Sequence, residues 1–386
     1  MIAARDAVRA LQSSLIREVA NAGMGNPDIL AFWFGESDRP TAEFIRQAAI
    51  ESLSGGETFY SQNLGRPYLR EAIADYLSGL HERAISADRI AAVGSGVSAL
   101  MLASQLVLSP GDRVVAVTPL WPNVVEIPKI LGATVERVPL RVSNGRWTLD
   151  LDRLLDALTA QTRLLIVNSP NNPTGWTIED EELDAVVAHC RKHGIWVLAD
   201  DVYERLVYDP AMRSAPSVLR RYQDGDRIIS SNSFSKAWTM TGWRMGWLVV
   251  PEGLTADLGK LIEYNTSCIL EPAQRAGAVA VSQGEGEVAA LRQRLAATRR
   301  QLVDGLRAMP GIEVPDAGGA MYAFFRIDGH TDSLALAKQL VAEVGLGLAP
   351  GAAFGPEGDG WLRWCHEVSP DKIEAGLARL RRFMER

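Results

Sequence analysis

Apolar and polar positions along residues 41–250 follow two periods in turn, which predicts helices alternating with strands. Segments 42–53, 68–80 and 179–194 repeat apolar residues at helical spacing. Short apolar runs predict buried strands in the segments DRVVAV, RLLIVN, GIWVLAD and RIISSNSF. This alternation is typical of an α/β fold in which helices cover both faces of a mostly parallel sheet.

The pattern changes after the last predicted strand of this region. Residues 272–309 contain a long helical pattern, which we expect to connect to a C-terminal α+β unit. The first 40 residues lack the helix–strand alternation. We therefore expect an N-terminal arm with part of a small domain at 1–45, a large domain at 46–280 and a small C-terminal domain at 281–386.

Composition narrows the classes of partner. The 386-residue chain has a net charge of −7 and a pI near 5.4, so nucleic acid and anionic membranes are not expected to bind. Its three cysteines, Cys190, Cys268 and Cys365, lack metal-site spacing and predict reduced thiols, no metal and a cytoplasmic protein. The N-terminal segment MIAARDAVRALQSSL lacks the continuous apolar run of a signal peptide or membrane span.

Polar and aromatic clusters follow four of the predicted strands. They are TPLWP at 118–122, NSPNNPTG at 168–175, ADDVYE at 199–204 and NSFSKAWTMTGWRMGW at 232–247. Parallel strands present their carboxyl ends at one edge of a sheet, and ligands bind at that edge. We therefore expect these segments, including a loop that carries Lys236, to form one site.

Lys236 and its neighbours indicate a particular cofactor. A partly desolvated lysine beside other cations has a lowered pKa and can form a Schiff base with an aldehyde. Hydroxyl groups and a guanidinium can bind a phosphate, and the candidates are Ser233, Ser235 and Arg244. Pyridoxal 5′-phosphate is an aldehyde that carries a phosphate, and its ring nitrogen requires a carboxylate. Asp200 is the candidate for that carboxylate, and Asp201 is the competing position.

These motifs together resemble the class I and II aminotransferases of the fold-type I pyridoxal-phosphate family, from about residue 34 to residue 367. The resemblance implies a large domain with a seven-stranded, mostly parallel sheet between helices, and a smaller α+β domain. It implies that Lys236 forms the Schiff base and moves the proton between substrate Cα and cofactor C4′. The implied reaction is ping-pong transfer of an amino group between an L-amino acid and a 2-oxo acid.

The resemblance also implies roles for the other site residues. Four residues would contact the cofactor ring: Asp200, Tyr203, Asn172 and Trp121. The phosphate would be held where glycines precede a helical pattern that begins near Ser98, by Gly96, Val97, Ser98, Ser233, Ser235 and Arg244. Tyr60 would reach the phosphate of a partner subunit, which implies a homodimer with shared sites. The substrate would contact Gly35, Trp121, Asn172 and Arg363.

Two other classes of function fit the sequence less well. GSGVSA at 94–99 satisfies a dinucleotide-binding pattern, but the next strand ends in Thr118 without the acidic residue that an NAD-dependent dehydrogenase needs. An aminotransferase-like domain of a transcription regulator would need an added DNA-binding segment, and residues 1–40 are too few and insufficiently basic. A pyridoxal-phosphate-dependent C–S lyase remains open.

The substrate is less well defined. The helix after the predicted phosphate site, SALMLASQLVL, is uncharged, and Trp33, Trp121 and Trp364 are expected to crowd the pocket, so we favour a neutral or aromatic amino acid. Arg363 could instead be a strand residue that points to solvent. Ser37 stands where relatives usually have the proline of a G-x-P-D motif.

Overall fold

The computed structural model of the protein describes residues 2–385. Its α-helices, in chain order, are α1 (Asp6–Arg9), α2 (Leu15–Gly23), α3 (Glu43–Ser54), α4 (Pro67–His81), α5 (Gly96–Val107), α6 (Pro122–Ile130), α7 (Leu151–Ala157), α8 (Asp180–His193), α9 (Val218–Arg221), α10 (Phe234–Ala237), α11 (Thr255–Asn265), α12 (Glu271–Gln283), α13 (Glu285–Arg307), α14 (Ser333–Val344) and α15 (Pro370–Met384).

The strands are β1 (Leu30–Ala31), β2 (Ile90–Val93), β3 (Arg113–Thr118), β4 (Thr134–Pro139), β5 (Arg141–Ser143), β6 (Arg146–Thr148), β7 (Thr162–Asn168), β8 (Trp196–Asp200), β9 (Ile228–Ser233), β10 (Gly246–Val249), β11 (Ile312–Glu313), β12 (Tyr322–Ile327), β13 (Leu346–Gly347), β14 (Ala349–Pro350) and β15 (Trp361–Cys365).

A seven-stranded sheet forms the larger part of the molecule. Its order is β2-β10-β9-β8-β7-β3-β4, and β10 runs antiparallel to both of its neighbours while the other pairs are parallel. The central strands are apolar and buried because helices cover both faces of the sheet. This confirms the predicted mostly parallel α/β fold.

The predicted helices of this region are found within one or two residues of their predicted ends. Helix α8 illustrates why, because residues with known capping preferences stand at both of its ends. Glu179 and Glu182 form a reciprocal capping box at its start, and Gly194 ends it in the left-handed conformation at φ 65°.

A second, four-stranded antiparallel sheet has the order β11-β12-β15-β14. Helices α13, α14 and α15 belong to the same region of the chain, and the apolar side chains of this region pack in one core with those of the large sheet's β3 and β7. The chain's N-terminal part joins this unit because β1 pairs in parallel with β13. The second sheet places Arg363, in the middle of β15, opposite Phe324.

Within residues 2–385, no helix is both long enough and apolar enough to cross a membrane. The same residues contain no group of three or more His, Cys, Asp or Glu side chains that could hold a metal ion.

Candidate active site

Four parallel strands end at one edge of the large sheet. Strands β3, β7, β8 and β9 end at Thr118, Asn168, Asp200 and Ser233. Asn168 and Asp200 are direct partners in the register of β7 and β8. The segments that were predicted to follow strand ends therefore do so, and they meet where ligands of open α/β sheets bind.

Lys236 lies in the one-turn helix α10 between β9 and β10, so the prediction that it lies on a loop is wrong. The turn forms because the Ser233 side chain caps it by accepting from the Ser235 backbone N–H. The Lys236 ammonium donates to the Gly35 carbonyl oxygen and lies 5.8 Å from the centre of the Tyr203 ring. Burial lowers the pKa of Lys236 to about 8, and the nearby cations Arg363 and Arg244 contribute to the lowering.

Asp200 is buried at the end of β8 and accepts a hydrogen bond from the Val202 backbone. Burial raises its pKa to about 7, while the charge of Lys236 opposes that rise. A buried carboxyl group in this state suits a cationic ring nitrogen, which would stabilise its ionised form. The neighbouring Asp201 has a protein partner, since its Oδ2 accepts from Ser230 Oγ at 2.6 Å.

Arg363 is buried, so the alternative that it points to solvent is wrong. Its Nη1 donates to Asn172 Oδ1 at 2.9 Å, and its Nη2 donates to the Trp33 carbonyl oxygen. The guanidinium carbon lies 4.4 Å from the centre of the Tyr322 ring and 5.0 Å from that of Phe354. Among the described residues, Arg363 Nε has no hydrogen-bond partner, which leaves the guanidinium incompletely satisfied.

The predicted phosphate site lies at the start of α5, which begins at Gly96 rather than near Ser98. A side chain at Gly96 would press against Ser233, because its Cβ would lie 3.1 Å from Ser233 Cβ. Glycine thus lets the helix start approach the end of β9. The Ser98 backbone N–H is already taken by Ser95 Oγ at 2.9 Å, whereas no acceptor is recorded for the N–H groups of Gly96 and Val97 in the described part of the chain.

Of the side chains predicted to complete the phosphate site, the two serines lie beside Gly96, whereas Arg244 and Tyr60 are exposed. Ser233 Oγ donates to Ser235 Oγ at 2.9 Å, so these two hydroxyls form a pair beside Gly96. Arg244 is exposed and in the left-handed conformation at φ 49°, with its Nη1 donating to the Thr241 carbonyl oxygen at 2.6 Å. Tyr60 is 88% exposed, and nothing in the described residues of this chain brings it to the site.

The three tryptophans expected in the pocket have different environments. Trp121 is half-buried beside Asn172, whose carbonyl oxygen accepts from the Trp121 backbone N–H at 3.0 Å. The Trp33 ring packs against Gly347 in the core. The Trp364 ring packs on Phe32 with ring centres 4.8 Å apart, because neighbouring residues of a strand face opposite sides and Arg363 occupies the site side. The expectation that Trp33 and Trp364 crowd the pocket is therefore wrong.

Three residues at the site were missed by the sequence analysis. Asn168 joins two strand ends, since its Nδ2 donates to the Asp200 carbonyl oxygen at 3.0 Å and its Oδ1 accepts from the Asn172 backbone at 2.8 Å. Its position at the start of the NSPNNPTG segment could have identified it. Tyr322 contacts Tyr203, and Glu367 accepts from Ser37 Oγ at 3.1 Å. Both lie far along the chain in segments without a distinctive pattern.

These residues fit pyridoxal 5′-phosphate. The buried carboxyl of Asp200 matches a ring nitrogen, the lowered pKa of Lys236 matches an imine-forming amine, and the start of α5 matches a phosphate. Position 35 must be glycine for a separate reason, because a Cβ there would collide with the Tyr322 hydroxyl.

The fold and this set of residues define a fold-type I pyridoxal-phosphate enzyme. Residues 28–380 match the family described as aminotransferase class I and II. An aspartate aminotransferase of Pyrococcus horikoshii is 30% identical over 383 residues, which covers 97% of this chain and 95% of that protein. The chain therefore belongs to the class I and II aminotransferase family, and it is a pyridoxal-phosphate-dependent aminotransferase, which confirms that prediction and excludes the dehydrogenase.

Solved structures agree with this assignment. A mutant of Thermus thermophilus aspartate aminotransferase superposes with a TM-score of 0.92 at 28% identity, covering 99% of this chain and 100% of that one. N-succinyldiaminopimelate aminotransferase of Mycobacterium tuberculosis superposes with a TM-score of 0.91 at 27% identity, covering 98% and 99%. Relatives at this distance differ in their named substrates.

Proposed function

We propose that this enzyme moves an amino group between a neutral or aromatic L-amino acid and a 2-oxo acid, by a ping-pong mechanism with Lys236 as the Schiff-base lysine. The observation that carries the proposal is the convergence of three residues: Lys236 and Asp200 lie at one edge of the large sheet, and Arg363 reaches that edge from β15 by bonding Asn172. Pyridoxal 5′-phosphate, when bound, supplies an electron-withdrawing ring that makes the substrate Cα–H acidic.

Lys236 both holds the cofactor and moves a proton. Its pKa near 8 leaves a substantial fraction of the side chain as the neutral amine at neutral to mildly alkaline pH. With pyridoxal 5′-phosphate bound, this amine would hold the cofactor aldehyde and, once released by substrate, would move the proton between substrate Cα and cofactor C4′. Arg244 and Arg363 support this role because their charges disfavour the ammonium form.

Three residues would bind the polar atoms of the cofactor ring, namely Asp200, Tyr203 and Asn172. Asp200 would form an ion pair with the ring nitrogen and keep it protonated. Tyr203 and Asn172 would donate to the phenolic oxygen, and both lie within the same group of contacts as Lys236 and Arg363. Trp121 would stack on the ring, which its half-buried place beside Asn172 supports.

The phosphate would be held by the start of α5. Free backbone N–H groups at Gly96 and Val97 and the positive end of the helix suit an anion. Ser98 is proposed as a third backbone contributor, and Ser233, Ser235 and Arg244 are the proposed side-chain contributors.

Arg363 would bind the substrate α-carboxylate, with Gly35 and Asn172 bordering the substrate. A guanidinium binds a carboxylate through parallel hydrogen bonds, which sets orientation as well as affinity. Holding the carboxylate on one side leaves the Cα–H bond facing Lys236, and this favours proton transfer over loss of the carboxylate.

The preference for a neutral or aromatic side chain rests on charge. Helix α5 has the sequence GVSALMLASQLV, without any charged residue, so it offers no cation to a second substrate carboxylate. Glu36 follows Gly35 and interacts electrostatically with Lys236, so the residue beside the proposed substrate contact Gly35 is an acid and not a base.

The proposed oligomer is a homodimer with shared sites, and the proposed location is the cytoplasm. The dimer is supported by exposed apolar side chains, which include Tyr60, its neighbour Phe59, and Leu53, Tyr264 and Leu270. The cytoplasm is supported by three unpaired cysteines. We also propose the domain division at 1–45, 46–280 and 281–386. The pairing of β1 with β13 supports it, because this pairing joins the N-terminal segment to the C-terminal unit.

A donor screen tests this function. The pyridoxal-phosphate-loaded enzyme is mixed with single amino acids plus 2-oxoglutarate or pyruvate, and both products are quantified by chromatography. We expect neutral and aromatic donors to exceed aspartate and glutamate in kcat/KM, and Lys236→Ala to lose exchange. Equal or better rates with aspartate contradict the side-chain preference. Pyruvate and ammonia released from cystathionine without amino acid exchange would identify a C–S lyase instead.

A further inference from the structure

Tyr322 contacts three residues of the site at once. Its hydroxyl oxygen lies 2.6 Å from the Tyr203 hydroxyl oxygen, and the two rings meet edge to face with centres 5.7 Å apart. The Arg363 guanidinium carbon lies over the face of its ring, 4.4 Å from the ring centre. Its hydroxyl also fills the space where a side chain at Gly35 would lie. Tyr322 itself is fully buried at the start of β12.

Each hydroxyl has a single proton, so the bond between these phenols has a direction. Burial raises the pKa of Tyr322 to about 12 and also raises the pKa of Tyr203, so both are protonated near neutral pH. If Tyr203 donated to Tyr322, its proton would be unavailable to a ligand oxygen. If Tyr322 donates instead, the Tyr203 proton is free to bond a ligand oxygen.

We infer that Tyr322 is a positioning residue that donates to Tyr203 and supports Arg363 on its ring, so that one side chain aligns the contact to the cofactor's phenolic oxygen and the carboxylate anchor. This inference rests on the proposed roles of Tyr203 and Arg363. It also explains the glycine at position 35, which leaves room for the Tyr322 hydroxyl.

The two functions of Tyr322 can be separated by substitution. Tyr322→Phe removes the hydroxyl and keeps the ring beneath Arg363. Tyr322→Leu removes both the hydroxyl and the aromatic face. A hydrogen bond to the phenolic oxygen stabilises the Schiff base that has lost its imine proton, and so it lowers the pKa of that imine.

The experiment is a spectrophotometric pH titration of the pyridoxal-phosphate holoenzyme, combined with steady-state kinetics. We expect Tyr322→Phe to raise the imine pKa by a few tenths to about one pH unit, with KM for the amino acid nearly unchanged. Tyr322→Leu should raise the imine pKa similarly and also raise KM for both amino acid and 2-oxo acid. The matched control is Tyr208→Phe, which removes a hydroxyl bonded to the Ala320 carbonyl oxygen and His366 rather than to Tyr203, and its imine pKa should not change.

A double variant tests whether Tyr322 acts through Tyr203. In Tyr203→Phe, the further change Tyr322→Phe should leave the imine pKa where the single variant put it, because the donor has lost its acceptor. Additive shifts, or a Tyr322→Phe titration identical to wild type, overturn the inference while the proposed function stands. A wild-type protein that forms no absorbing Schiff base with pyridoxal 5′-phosphate would instead contradict the proposed function.

Discussion

Asp200 illustrates how one buried residue links cofactor binding to stability. Its folded pKa of about 7 lies above the ordinary value of 3.8, so the cofactor-free protein retains a proton that the unfolded chain has lost between those values. Its contribution to stability therefore falls as pH rises from about 4 to about 7. Above that range, the full free-energy cost of keeping an ionised carboxylate buried is present.

We predict that Asp200→Asn stabilises the cofactor-free protein at about pH 8 by up to about 4 kcal/mol, and by much less at about pH 5. Urea unfolding at the two pH values measures this difference. The control Asp88→Asn removes a carboxylate whose side chain is 94% exposed, and its effect should be small at both. An Asp200→Asn protein that is destabilised equally at both pH values contradicts the prediction.

The same residue predicts a separation of binding from turnover. With pyridoxal 5′-phosphate, Asp200→Ala should retain cofactor through the phosphate site but lose most of its kcat, since the ring nitrogen loses its counter-charge and the barrier rises by about 3 kcal/mol or more. Asp201→Ala is the comparison, because Asp201 bonds Ser230 instead. An inactive Asp201→Ala with an active Asp200→Ala would transfer the role to Asp201.

Sequence reasoning located Lys236, Asp200 and Asn172 because each stands at the end of a recognisable strand or just beyond it. Tyr322 was not located because its partner Tyr203 is 119 residues away, and no local spacing records their contact. The burial of Arg363 was undecided for a similar reason. An arginine in a strand can face either solvent or core, and the packing of Tyr322 and Phe354 decides the matter.

At the scale of elements, the segment of Gly35 is fastened to the chain after β15. Ser37 Oγ donates to Glu367 Oε1 at 3.1 Å, and Asp38 Oδ2 accepts from the Ser369 backbone at 2.7 Å. Glu367 is buried, and Arg294 approaches it at 3.6 Å. Ser37 thus supplies a hydrogen bond at the position where relatives usually have proline.

We predict that Ser37→Ala lowers the free energy of unfolding by about 1 kcal/mol, because a buried carboxyl loses a donor. KM for the amino acid should rise as well, since Ser37 helps to fix the segment of Gly35, which is proposed to border the substrate. Urea unfolding and steady-state kinetics measure both effects. Ser37→Thr, which keeps the hydroxyl, is the control, and a Ser37→Ala protein with wild-type values in both assays would contradict this account.

Most elements of the large sheet could be predicted because amphipathic helices and short apolar strands alternate with clear stops. The antiparallel direction of β10 could not, since a strand buried on both faces looks the same in either direction. The order of the strands depends on pairings between distant segments. The four-stranded sheet was expected only as an α+β unit, because β11 and β14 are two-residue strands that leave no periodic pattern.

At the scale of the whole molecule, Tyr60 is 88% exposed, and the proposed homodimer would give it a role. Its neighbour Phe59 is 82% exposed. The next residue, Ser61, contacts Cys268 and Gln274, which brings this segment near Leu270, a residue that is 66% exposed. Apolar groups of this size on one surface are costly to leave in water. In the proposed homodimer, a second copy of the chain would cover these groups, and Tyr60 would reach the other subunit's phosphate site.

A hybrid dimer tests this arrangement. Lys236→Ala and Tyr60→Ala chains, each of low activity alone, are given different affinity tags, mixed under exchange conditions and purified as the heterodimer. If Tyr60 serves the partner's site, one site of the hybrid combines an intact Lys236 with an intact Tyr60 from the other chain, while the second site carries both defects. We predict recovery of about half the wild-type activity per dimer. If Tyr60 served its own chain, every site would retain one defect, and a hybrid no more active than the average of its parents would exclude the shared site.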